Sequence, residues 1–192
     1  VVQDNEFILQ EGEWSPWTTV DFEFVPMLVS ASAIGRFYLK QVRPDFQLYV
    51  TPLQINPDNP IMPISTPEEW SHHLCHELGY FYTQELPEDT KAFTYGIFSG
   101  PEFWEQSQFV YRERRHALDY FLDSFEEGLL FFYYSSTDLQ AHMFWWDSDD
   151  PHPIRSASEA KQRHAVIEEL YQKMDQVVGN IVERYGDEAT IF

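Results

Sequence analysis

A single cysteine, Cys75, argues against an internal disulfide framework and makes a reducing, cytoplasmic setting the expectation. Basic side chains are scarce, 12 Lys and Arg against 32 Asp and Glu, giving a formal charge of −20. That balance argues against nucleic-acid polymers and anionic membranes as partners, because both demand basic surface to neutralise phosphates. No apolar run reaches the roughly 18 residues that a membrane-spanning helix needs, and no signal peptide, internal repeat or low-complexity stretch is visible. What the 192 residues do contain is apolar and aromatic material, 43% and 17%, enough for a substantial core. The acidity is consistent with solubility or high salt, and an acidic chain that handles phosphate esters would need metal ions.

From Glu6 to about Thr51 the apolar period is mostly two, which predicts strands at Phe7–Gln10, Trp17–Phe24, Ile34–Val42 and Phe46–Val50. Glu11-Gly12 and Arg43-Pro44-Asp45 read as the turns between them. Pro52, Pro57, Pro60, Pro63 and Pro67 remove ladder donors, so this stretch reads as a connector. The organisation expected is a β-rich region with its Pro-rich connector over 1–66 and an α/β segment over 67–192.

In the second half, Thr66 before Pro67-Glu68-Glu69 reads as a helix start and Gly79 as its stop. A longer helix is predicted from Ser99-Gly100-Pro101 to about Glu127, burying Phe103, Val110, Leu118, Phe121, Leu122 and Phe125. A third begins at the capping box Ser156-Ala157-Ser158-Glu159 and carries Val166, Leu170, Met174, Val177, Ile181 and Tyr185 on one stripe. Between the last two, Gly128-Leu129-Leu130-Phe131-Phe132-Tyr133-Tyr134 reads as a strand buried on both faces. A further strand is expected after Tyr185-Gly186-Asp187, which completes an α/β order.

Asp138 follows that apolar run, at the carboxyl end where chemistry gathers in open α/β sheets. If a helix starts there, Asp138 and His142 share a face with Cβ atoms about 5–6 Å apart and can converge on one divalent ion, zinc above all. The alternative is structural: Asp138 as an N-cap and His142 a satisfied histidine against Trp145 or Trp146. His72 and His76, with His73 and Cys75 between them, form a rival pair at chelating spacing, or else surface histidines beside a buried thiol. Arg112, Arg114 and Arg115 offer a phosphate clamp or ion-pair partners for Glu113, Asp119 and Asp123. Asp147, Asp149, Asp150 and His152 form either a layer of groups that orients His142 or a solvated loop. Met143 to Trp146 reads as a wall for an organic group or as packing of the helix.

The segment Gly128-Leu-Leu-Phe-Phe-Tyr-Tyr-Ser-Ser-Thr-Asp138-x-x-x-His142-Met-Phe-Trp, followed by Asp150-Pro-His-Pro153, resembles the type I phosphodiesterase/nucleotide pyrophosphatase branch of the alkaline phosphatase superfamily. Gly12-Glu-Trp-Ser15, Gly35-Arg-Phe-Tyr-Leu39, Leu48-Tyr-Val-Thr-Pro52, Pro63-Ile-Ser65, Phe81-Tyr-Thr-Gln84, Pro87-Glu-Asp-Thr-Lys91 and Leu170-Tyr-Gln-Lys-Met-Asp-Gln-Val-Val-Gly179 extend the likeness over nearly the whole chain. The resemblance implies a partial three-layer α/β/α core preceded by a β-rich inserted region, and a hydrolase of phosphodiesters or nucleotide pyrophosphates with two divalent ions, usually zinc. It assigns Asp138 and His142 to one ion. A Thr or Ser nucleophile is expected before Val1, and an Asp-His pair with a further His after Phe192, so the chain reads as an internal segment that turns over no phosphodiester alone and binds zinc weakly. A phosphomutase, phosphonate hydrolase or sulfatase on the same scaffold, or a non-catalytic binding protein derived from it, are the alternatives. The partner expected is a small phosphoester, and neither oligomeric state nor substrate identity is legible.

Overall fold

Alternation of apolar and polar residues becomes strand only where a neighbouring backbone supplies the ladder, and the first half of the chain illustrates both outcomes. In a computed structural model that describes residues 2–3, 5–25, 29–84, 87–145 and 165–192, β1 (Glu13–Trp14), β4 (Phe37–Gln41) and β5 (Gln47–Val50) form one antiparallel sheet in the order β1-β4-β5. A second holds β2 (Thr18–Val25), β3 (Val29–Gly35) and β6 (Gln54–Ile55) in the order β2-β3-β6. The strand expected over Ile34–Val42 is therefore divided at Arg36, whose residue before it ends β3 and whose residue after it begins β4. The turns at Glu11-Gly12 and Arg43-Pro44-Asp45 are where the sequence puts them, and Gly12 has φ +87°, a left-handed conformation glycine adopts without a Cβ penalty. Phe7–Gln10 does not form a strand. Phe7 rests its ring 5.6 Å from Phe37 while Ile8 is exposed, so the alternation there describes two faces without a ladder.

The chain divides into two compact units, Val1–Pro87 and Glu88–Phe192, where the sequence suggested a division after residue 66. The first helix, α1 (Trp70–Leu78), belongs with the sheets. Its expected cap is corrected: Thr66 makes no capping bond, Glu69 occupies the N-cap without one, and Ser65 Oγ accepts from Ser71 N at 3.0 Å. Gly79 does end α1, with φ +80° and its N–H on the Cys75 carbonyl at 2.9 Å. The core of this unit gathers Ile34, Phe37, Tyr38, Leu39 and Tyr82.

In the second unit, α2 (Thr90–Thr94) is a short helix that the sequence reading did not anticipate. Asp89 caps it by accepting from Ala92 N at 2.9 Å. The long helix α3 (Gly100–Ser124) begins with a reciprocal capping box between Ser99 and Glu102 and a proline in its first turn. Among the described residues α4 (Ser136–Phe144) and α5 (Ala165–Tyr185) follow; α4 packs on both α3 and α5. Phe103 stacks on Phe93 at 4.8 Å between centroids and meets Phe144 at 5.7 Å, while Leu118, Leu122 and Val177 form the centre of the α3–α5 contact. The expected capping box Ser156-Ala157-Ser158-Glu159 lies outside the described residues.

The buried strand expected over 129–134 is corrected. The segment is irregular, and its side chains alternate: Leu130, Phe132 and Tyr134 pack on the α3–α5 cluster, whereas Leu129, Phe131 and Tyr133 are 86%, 82% and 61% exposed. The physical reason is that no described strand lies beside it, so helices cover one face and, among the described residues, no element covers the other. Residues 190–192 likewise form no strand, and Phe192 is fully exposed. Among the described residues the fold is thus mixed α and β, with two small antiparallel sheets and five helices. No helix of the described residues is long and apolar enough to cross a membrane.

Candidate functional site

The rotation of α4 about its own axis decides what its polar residues can do. Ser136, Leu139, Gln140 and Phe144, at spacings of three and four, are its buried face. Two hydrogen bonds hold that face: Ser136 Oγ donates to Glu88 Oε1 at 2.5 Å, and Gln140 Nε2 donates to Ser107 Oγ on α3 at 2.5 Å. Glu88 is 1% exposed and Ser107 1%, so these are interior contacts in which mispairing is costly. With that face fixed, Asp138 and His142 must point outward.

They do so together. Asp138 Oδ1 lies 3.4 Å from His142 Nε2, with the side chains 63% and 69% exposed. Asp138 is in the first turn, where the helix dipole favours an anion, and His142 is in the last, where it favours a cation. The N-cap role considered for Asp138 belongs by position to Ser135, which makes no side-chain capping bond. His142 is not enclosed by Trp145, which is itself 64% exposed. The pair converges on an open point, which a cation can reach, and among the described residues it offers two protein ligands.

The remaining sequence candidates separate clearly. Arg115 donates from Nε to Asp119 Oδ2 at 2.9 Å, one turn along α3, and this bond is the main reason its pKa is raised. Arg112 sits 4.9 Å from the Phe109 ring. Arg114 Nε is enclosed without a hydrogen bond, and its charge acts on Glu88. The three side chains thus meet different partners. Asp147, Asp149, Asp150, His152 and Trp146 lie outside the described residues.

The first unit carries a second group. His72 and His76, one turn apart on α1 with ring centroids 4.4 Å apart, are joined by Asp58 from the loop after β6. Asp58 Oδ1 is 2.8 Å from His72 Nδ1 and 3.2 Å from His76 Nε2. Asp58 was not singled out by the sequence, because it lies 14 residues from His72 in a proline-rich stretch without periodicity. Cys75 stands apart from the group: burial, and then the Asp58 charge, push its thiol up to about 11. Beside the histidines is an open depression of about 530 Å³ lined by Glu69, Trp70, His72, His73 and His76.

No protein-family model, curated protein or solved structure matches this chain.

Proposed function

We propose that this chain is the metal-binding portion of a hydrolase acting on phosphodiesters or nucleotide pyrophosphates, of the alkaline phosphatase type its sequence resembles. In this reading Asp138 and His142 supply one pair of ligands to a centre of two divalent ions, zinc by donor preference. The observation that carries the reading is the 3.4 Å approach of carboxylate and imidazole on the open face of α4. A carboxylate oxygen and an imidazole nitrogen are donors zinc accepts, and their exposure leaves coordination positions for other ligands and for substrate. The apolar ridge of Leu129, Phe131 and Tyr133 supports the α/β/α part of the proposal, because a covering layer would bury what is now exposed.

When bound, the ions stabilise charge on the attacking and leaving oxygens of a displacement at phosphorus and lower the pKa of the nucleophile. The work of this chain is orientation. Ser136 on Glu88 and Gln140 on Ser107 lock the helix so that both donors face one point. The family pattern puts the nucleophile and the other ligands on other segments, so the assay uses the full-length protein.

After chelation and reloading with zinc, that protein should hydrolyse bis(p-nitrophenyl) phosphate. Asp138→Ala and His142→Ala should each lower turnover by about 100-fold or more, whereas Thr137→Ala on the same turn should not. Turnover that is unchanged in both variants would sink the assignment. Preferred hydrolysis of a monoester or a sulfate ester would keep the metal pair and move the substrate class, since scaffold and metals do not set it.

A further inference from the structure

We propose that Asp58, His72 and His76 form a mononuclear site for a divalent transition metal of the zinc class, separate in its ligands from the Asp138–His142 pair. Three observations support it independently of any resemblance.

First, the donor set is complete enough to matter. Two imidazoles and a carboxylate, with one ligand atom from each lying within 4.8 Å of the others, are the donors of a three-ligand zinc site that keeps one position open. Around a tetrahedral ion with bonds of about 2.0–2.1 Å, ligand atoms sit roughly 3.3 Å apart, so the 2.8 and 3.2 Å separations need to widen only slightly.

Second, the Asp58 side chain is 40% exposed but its Oδ1 is enclosed from solvent, and no donor is aligned to hydrogen-bond it, although two ring nitrogens face it. An enclosed carboxylate oxygen without a hydrogen bond is costly, and an ion between it and the imidazoles removes that cost. His72 Nδ1 is also 3.1 Å from the Asp58 carbonyl; binding of an ion through Nδ1 requires the neutral imidazole to carry its one proton on Nε2, which leaves the Nδ1 lone pair for the ion.

Third, Asp58 is held in place by groups that do not depend on the ion. Its backbone N–H donates to Asn56 Oδ1 at 3.0 Å, and Asn56, 4% exposed, donates from Nδ2 to Ser32 Oγ on β3 at 2.9 Å. Pro57 between them is fully buried. The carboxylate is thereby presented from a fixed turn toward two residues already oriented by one helix, which is the pre-organisation a metal site requires. An ion there would cross-link the loop after β6 to α1, next to the depression that His72 and His76 line together with Trp70 and His73.

The test is titration of the purified, chelator-treated 192-residue chain with zinc by calorimetry, and with cobalt(II) by its visible absorption. The expected result is one equivalent bound with micromolar or tighter affinity, a tetrahedral cobalt spectrum and a raised thermal midpoint. Asp58→Asn, His72→Ala and His76→Ala should each weaken zinc by more than about 10-fold, the loss that even an outer partner of a metal-ligating histidine causes. Asp58→Asn leaves the backbone bond to Asn56 in place, and circular dichroism establishes that each variant is folded. His73→Ala and Asp138→Ala should leave the affinity unchanged. Absence of micromolar binding overturns the proposal, as does binding that survives all three ligand variants. Tight binding lost in Asp138→Ala but kept in Asp58→Asn also overturns it, and would credit the other pair; failure here leaves the hydrolase reading to its own assay.

Discussion

Replacing Glu88 by glutamine tests whether the interior of the second unit holds a carboxyl group against its preference for water. Glu88 is 1% exposed; Oε1 receives the Ser136 hydroxyl at 2.5 Å, and Oε2 has no partner. Burial pushes its pKa up from 4.5, and the hydrogen bonds and Arg114 charge that pull it down do not cancel the rise. The sign follows from proton counts. Above the unfolded value the folded chain holds a proton that the unfolded chain has lost, so this contribution is whole below about 4.5 and declines until the pH passes the higher folded value. A single group cannot exceed about 1.4 kcal/mol per pH unit. At pH 8 the unfolded chain carries this group ionised in water, so the folded chain is less stable by up to about 1.4 kcal/mol for each unit by which burial has raised the pKa. Glu88→Gln keeps the shape and removes the charge, so it should be the more stable protein at pH 8 by about that amount and lose the advantage toward pH 4.5. Urea unfolding of both proteins across this range gives the difference directly, and other titrating groups cancel in it. A difference that does not vary with pH, or a less stable glutamine variant at pH 8, would refute the reasoning.

Two further substitutions probe the packing. Phe103→Ala removes a ring that is 0% exposed and stacked on Phe93, and should cost about 3–5 kcal/mol by chemical denaturation; a loss below about 1 kcal/mol would mean the aromatic cluster is not a core. In the extended segment, Phe131→Ser should change stability by no more than about 0.5 kcal/mol while Phe132→Ser loses more than about 1 kcal/mol, because only the second ring packs on the α3–α5 cluster. Equal losses would contradict the one-sided packing.

Local signals were legible wherever chemistry acts within a few residues. The capping box at Ser99 and Glu102, the helix stop at Gly79, the hairpin at Arg43-Pro44-Asp45 and the buried Phe103, Val110, Leu118 and Leu122 of α3 all rest on such short-range preferences, while the expected Phe121 and Phe125 are half-buried and the helix ends at Ser124, short of Glu127. The apolar run over 129–134 shows where legibility ends. Six consecutive apolar residues specify an extended chain that avoids water, but the number of covered faces depends on neighbours remote in sequence. Here helices cover one face, and the expected inner strand is an irregular segment. The same limit hid Asp58, whose approach to His72 and His76 depends on Asn56 and Ser32 fixing its turn. It also hid Glu88, Ser107 and Gln140, polar residues whose burial no periodicity reveals. The i, i+4 relation of Asp138 and His142 was readable because a helix alone creates it.

The claim on which the functional account rests is that Asp138 and His142 bind one cation together. Imidazole signals of the 192-residue chain, followed by NMR while cobalt(II) is added, address it without requiring turnover. His72 and His76 should respond first, in the micromolar range, and His142 should follow near millimolar metal as a two-ligand site loads. Asp138→Asn should abolish the His142 response and leave the other two untouched. A His142 signal that never moves, or that moves identically without the Asp138 carboxylate, would contradict the account.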